Sequence, residues 1–186
     1  MSATQCFGVL FRKLVLVVAI LVGMPPVTSA QQYPSPPADF PFAVSEPGST
    51  VNGTVTIRES RLYYVELKFN YATEAERLRL KELLGDSSRY PDGRRAAPGV
   101  TIPLRVLISR RGAEGKPAYD QQIDTQGTHA HRSAYPGYYA RLVSAIVLAP
   151  GLYDLRVSTV QATPAIAGAH VELRVTYDPR LAPTQN

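Results

Sequence analysis

The stretch Arg61-Leu62-Tyr63-Tyr64-Val65-Glu66-Leu67-Lys68-Phe69-Asn70 decides the fold. Tyr63, Val65, Leu67 and Phe69 share one parity, and Tyr64, Glu66, Lys68 and Asn70 share the other. Side chains alternate between the faces of an extended chain, so this period of two predicts a strand with one buried and one wet face. The pattern recurs. Residues 101–110 place Ile102, Leu104, Val106 and Ile108 on one face. Residues 152–160 set Tyr153, Leu155 and Val157 against Asp154, Arg156 and Ser158. Residues 170–177 set Val171, Leu173, Val175 and Tyr177 against His170, Glu172, Arg174 and Thr176. Less regular strands are predicted near 40–45, 49–58, 117–124 and 139–148. Polar outer faces argue against a parallel sheet covered by helices on both sides. No fixed-period repeat occurs, which argues against a propeller or solenoid. The prediction is a mainly β chain folded as an antiparallel β-sandwich, Ig-like or jelly-roll-like.

Punctuation between the strands refines this. Ala149-Pro150-Gly151-Leu152 predicts a type II turn, with Pro presetting the first central φ and Gly taking a positive φ at the second. The strands on either side should be close, either paired directly or changing sheets at that corner. Tyr153 then reads as core or as a corner tyrosine. Thr73-Glu74-Ala75-Glu76 is a capping box, whose hydroxyl and carboxylate each satisfy an orphan backbone N–H. Leu80, Leu83 and Leu84 share a helical face, Leu78 lies opposite, and Gly85 suits the end. One short helix is therefore predicted around residues 73–84, inserted among the strands and packed over a sheet edge or sandwich end. Residues 85–99 and 127–137 read as long loops, and 112–116 as a turn.

The N-terminal thirty residues follow a different rule. Arg12 and Lys13 precede an unbroken run of ten residues, Leu14 to Gly23. Pro25 and Pro26 stop it, and Val27-Thr28-Ser29-Ala30 offers small residues before Gln31. Ten residues fall short of the roughly 20 a membrane span needs. The layout predicts a secretory signal peptide over 1–30, cleaved near Ala30. Localisation is then periplasmic or extracellular, with no membrane span kept after cleavage. No Cys follows the apolar run to carry a lipid. The single cysteine, Cys6, lies within this leader. A cysteine-free exported domain fits a bacterial envelope better than a disulfide-rich eukaryotic one. Residues 31–39, rich in proline, read as an extended linker; 40–178 as the domain; and 179–186 as a flexible tail. The formal net charge is +5, two units of which are Arg12 and Lys13. The other charges are interleaved in sign, which describes a solvated surface and not a nucleic-acid stripe.

Candidate chemistry is sparse. His129-Ala130-His131 can present two imidazoles to one metal if extended, with His170, Asp120 or Asp124 as a third ligand. The commoner role of such residues is loop polarity, so neither a metal nor a cofactor is predicted. Gly85-Asp86-Ser87 has the composition of an esterase nucleophile block, yet it follows a helix and lacks an Asp–His partner block. Asp120, Asp124, Asp154 and Glu172 fall on outer strand faces, where no pair stands out for glycoside cleavage. Tyr135, Tyr138 and Tyr139 flank Pro136-Gly137, and loop aromatics can stack on sugars or anchor a protein. Together with Arg94 and Arg95 on the other long loop, they are the predicted binding residues.

Two blocks carry a family likeness. One is Phe40-Pro41-Phe42 with Ser45-Glu46-Pro47-Gly48-Ser49, followed by Tyr64-Val65-Glu66-Leu67-Lys68-Phe69. The other runs from Arg141-Leu142 to Leu148-Ala149-Pro150-Gly151-Leu152-Tyr153. Together they resemble a family of small exported proteobacterial proteins known only as a domain of unknown function. The resemblance spans roughly 40–177. It implies a β-sandwich with a helical insertion and export to the envelope, and it implies no catalytic residue. The expectation is a non-catalytic protein-interaction module of the bacterial envelope, binding another envelope or secreted protein through its end loops. The alternatives are a periplasmic inhibitor or immunity protein against a toxic enzyme, a carbohydrate-binding module using the tyrosines, and a metal-dependent enzyme.

Overall fold

The computed structural model describes residues 32–86, 97–113, 115–132 and 134–183, and the backbone alone of His131. Every described element lies within Tyr33–Asn186. In chain order these are β1 (Ala38–Pro41), β2 (Thr50–Ile57), β3 (Arg61–Tyr71), α1 (Glu74–Leu84), β4 (Ile102–Arg110), β5 (Tyr119–Thr125), β6 (Ala130–Arg132), β7 (Gly137–Leu148), β8 (Gly151–Thr159) and β9 (His170–Thr176). A 3-10 turn, Pro164–Ile166, precedes β9. The strands form two antiparallel sheets, one of order β1-β9-β3-β7-β6 and one of order β2-β8-β4-β5. This is a β-sandwich.

The alternation read from the sequence sets the core. Val65, Leu67 and Phe69 of β3 meet Ile102, Leu104, Val106 and Ile108 of β4, Leu155 and Val157 of β8, and Val171, Leu173 and Val175 of β9 in one buried cluster. Each such aliphatic side chain taken from water contributes roughly 1.5–3 kcal/mol. Leu80 and Leu84 of α1 join it, while Leu78 faces solvent. The capping box is complete: the Thr73 hydroxyl accepts from the Glu76 N–H, and the Glu76 carboxylate accepts from the Thr73 N–H. Tyr153 is a corner tyrosine, its hydroxyl donating to Ala149 O at 3.0 Å. Tyr63 repeats the device on Glu59 O at 2.9 Å.

Three expectations change, and the choice left open at the corner is settled. Gly151 does not take the positive φ of a type II turn. It opens β8 against Arg110, whose Nε would lie 2.7 Å from an added Cβ and whose Nη2 donates to Pro150 O. The corner carries the chain from one sheet to the other, since β7 pairs with β3 and β8 with β2 and β4. The proline-rich segment before residue 40 is not a loose linker. Extended prolines leave their carbonyls free, and Pro34 O accepts from the Thr56 N–H of β2. Tyr33 stacks under Arg111 and accepts from its Nη1, and Ala38 already belongs to β1. Finally, the loop 127–137 contains β6, paired with Tyr138, Tyr139 and Ala140 of β7.

Candidate functional site

The structured side of the end loops is organised by Arg141. It lies in β7, fully buried, with its parity turned inward. Its Nε donates to Gly127 O at 2.8 Å, Nη1 to Val100 O at 2.8 Å and Nη2 to Leu84 O at 2.7 Å. A longer contact reaches Thr125 O. Burial pulls its pKa down to about 10, still far above neutrality, so the cation persists and the carbonyl oxygens solvate it. One guanidinium thus joins the end of α1, the approach to β4 and the approach to β6. Gly85 and Gly99 close the same neck. Each has φ +67°, and a Cβ on Gly85 would lie 2.2 Å from Ala97 O.

Against this neck lies a cleft of about 390 Å³, lined by Arg77 and Lys81 of α1, by Gly85 and Asp86, by Thr128, His129 and Ala130, and by Tyr139. The Thr128 hydroxyl donates to Gly85 O at 2.9 Å. Arg77 is gripped by Glu74 through Nε and Nη2, at 2.7 and 2.6 Å. His129 Nε2 lies 3.0 Å from Glu66 Oε1, and Glu66 is buried although it sits on the outer face of β3. Sequence parity had made it a wet residue. A bulge opposite Val65 and Glu66, with His129 folded over the carboxylate, explains its burial.

The predicted binding residues separate. Tyr135 is exposed, and its hydroxyl donates to Glu74 of α1. Its ring meets Tyr71 edge-on, which in turn contacts Tyr139. Tyr139 itself is only 6% exposed and belongs to the core side of β7, so it is no surface anchor. Tyr138, its neighbour, takes the outer face beneath Arg174 and Lys68. Adjacent strand residues point to opposite faces, so the pair could not act together on one ligand. Arg94, Arg95 and Ser87 lie outside the described residues.

The metal candidates also separate. Asp120 and Asp124 belong to β5, in the other sheet from β6, and Asp120 pairs with Arg105. His170 begins β9. Among the described residues, no group of three or more His, Cys, Asp or Glu is placed to hold a metal ion.

On the outer face of the five-stranded sheet, Arg174 grips Asp39 through two bonds of 2.7 and 2.9 Å. Lys68 reaches both Asp39 at 2.9 Å and Glu172 at 2.7 Å, and Asn70 also donates to Glu172. The Arg174 hydrogen bond, against the cost of burial and with help from Lys68, holds the Asp39 carboxyl below its ordinary value. Burial would raise Glu172, but hydrogen bonds from Lys68 and Asn70 outweigh it and lower its pKa.

The same sheet also has an open edge. β6 pairs only with Tyr138 to Ala140, so no described strand covers Leu142 to Leu148 on the side away from β3. That run, Leu-Val-Ser-Ala-Ile-Val-Leu, holds no charge and no proline. Leu142 and Val147 are 40% and 56% exposed on its outer face. Nothing in the sequence reading had marked this edge, because strand order is invisible to periodicity.

These features define a nine-stranded sandwich, counted among the described residues, with a helix-bounded cleft at one end and an open strand edge. The family model named Domain of unknown function (DUF5625) matches residues 39–177, and the chain belongs to that family. The crystal structure of GEBA250068378 from Sulfurospirillum deleyianum is similar in fold, with a TM-score of 0.62 and 22% sequence identity. The alignment covers 77% of this chain and 98% of that one. No curated protein matches the sequence. Among the described residues, no helix is long and apolar enough to cross a membrane.

Proposed function

We propose that this protein is a non-catalytic protein-interaction module of the bacterial cell envelope, exported with loss of residues 1–30, and that it binds an extended segment of a partner protein along β7. The observation that carries the reading is a contrast among sheet edges. Exposed edges invite pairing with other chains, and proteins guard them with charge, proline, short length or cover. β1 is four residues long, ends in Pro41 and carries Asp39. β2 is covered at Thr56 by Pro34. β5 carries Asp120 and Asp124. Among the described residues, the open part of β7 has none of these guards. An extended partner segment would gain main-chain hydrogen bonds there, and Leu142 and Val147 would supply apolar contact.

The test has two arms. N-terminal sequencing of the protein from an envelope fraction should begin near Gln31. Partner capture by the wild type should be lost with Val147→Lys and with Ala145→Pro, each of which should keep its thermal melt within a few degrees. Partner binding that survives both substitutions removes the edge from the proposal.

A further inference from the structure

We propose that the cleft between α1 and β7 is a binding site for a small ligand bearing a carboxylate, independent of any partner on the β7 edge. Its volume of about 390 Å³ falls in the range of small-molecule sites, roughly 300–1,000 Å³, and is too small for a docked helix. Arg77 and Lys81 lie four residues apart on α1 and so face the cleft one turn apart. Asp86 is the single acid among the described lining residues, and with Arg77 already paired to Glu74 the cation left to meet a ligand there is Lys81.

The two cations differ in availability. Arg77 is held in place by Glu74, so its guanidinium is fixed but partly used. The Lys81 ammonium has no hydrogen-bond or ion-pair partner among the described residues. A carboxylate bound to Lys81 would gain a charge-assisted hydrogen bond that no described residue supplies. The walls are already fixed. Arg141 holds Leu84, Val100 and Gly127 together, and Thr128 is tied to Gly85. A ligand therefore need not order the site before binding, which lowers the cost of association. Tyr139 and Ala130 supply an apolar wall for the body of the ligand.

Two sources share this chemistry, sugar acids and short acidic peptides, and the experiment separates them. Glucuronate and N-acetyl-glutamyl-alanine amide are titrated into the isotopically labelled full mature chain, and amide shifts are followed by NMR. Glucose and the glutamine counterpart of the peptide are the neutral controls. At least one acid should shift the amides of Gly85, Thr128 and Ala130 saturably, and its neutral control should not. Lys81→Gln should weaken binding by about tenfold or more, as expected for loss of a bond to a charged group. Glu82→Gln, one position along and outside the cleft lining, should not weaken it. Val147→Lys should bind the acid as the wild type does, so failure of the edge reading and failure of this one are separable. Absence of cleft shifts with both acids up to about 10 mM, equal response to the neutral controls, or unchanged binding by Lys81→Gln would each overturn the proposal.

Discussion

Arg141 Nη2 donates to the carbonyl oxygen of Leu84 at 2.7 Å, so a strand of the sandwich closes the last turn of the helix. The remaining donors of the same side chain hold two further segments, and no carboxylate takes part in these bonds. Removing a buried cation leaves its carbonyl partners without donors, a loss of about 3 kcal/mol or more. Arg141→Met should show this in urea unfolding. Arg141→Lys keeps the charge but not the planar fan of donors, and should fall between the two. Equal midpoints for wild type and Arg141→Met would mean that the clamp contributes nothing.

The two corner tyrosines make a smaller and more local prediction. Tyr153 and Tyr63 each donate to a carbonyl four residues upstream, and both rings are buried. Phe keeps the ring and deletes the donor. Tyr153→Phe and Tyr63→Phe should each cost about 1 kcal/mol in chemical denaturation, leaving an orphaned carbonyl beside an intact core.

Most of the core was legible because β3, β4, β8 and β9 alternate without interruption, and parity alone assigns their faces. The helix was legible through its capping box, which is a local signal. β7 was not, for a definite reason. Counting back in twos from Leu148 and Ile146 lands on Ser144, Leu142, Ala140 and Tyr138. The bulge leaves Val143 without a register partner and shifts the phase, so Arg141 and Tyr139 turn inward instead. One extra residue thus hid the buried arginine. Arg141 did leave a trace, as the charge that opens an otherwise apolar run. The cleft and the open edge depend on which strands are neighbours, and no local pattern encodes that.

Gly85 tests the neck directly. Its φ of +67° disfavours any side chain, and a Cβ would also collide with Ala97 O. Gly112 has a similar φ of +76°, yet nothing lies within 4 Å of its Cβ position. Gly112→Ala should therefore cost only the backbone term, about 1 kcal/mol. Gly85→Ala should cost distinctly more, above about 2 kcal/mol, because the backbone must also move. Similar losses for the two would show that the approach of residues 97–99 to the helix end is not tight in solution.

The outer-face ion network sets the response to acid. Asp39 and Glu172 have pKa values below their ordinary 3.8 and 4.5, so the folded state holds the charged carboxylates more favourably than the unfolded chain does. Their contribution is complete above those ordinary values and is lost as pH falls through the lowered folded values. Lys68 has the opposite sign. Burial would lower it, but Glu172 and Asp39 outweigh that and raise it above 10.5, so its contribution fades only on the alkaline side. Wild-type protein should therefore hold a level melting temperature from neutrality to about pH 5 and lose it steeply below about pH 4. Asp39→Asn removes the carboxylate that joins Arg174 to Lys68, so it should melt lower at neutral pH and fall less on acidification. The two curves should converge as pH falls below the ordinary carboxylate values and the wild-type carboxylates become protonated. Parallel curves across the whole range would mean that the network, although well bonded, does not couple folding to protonation.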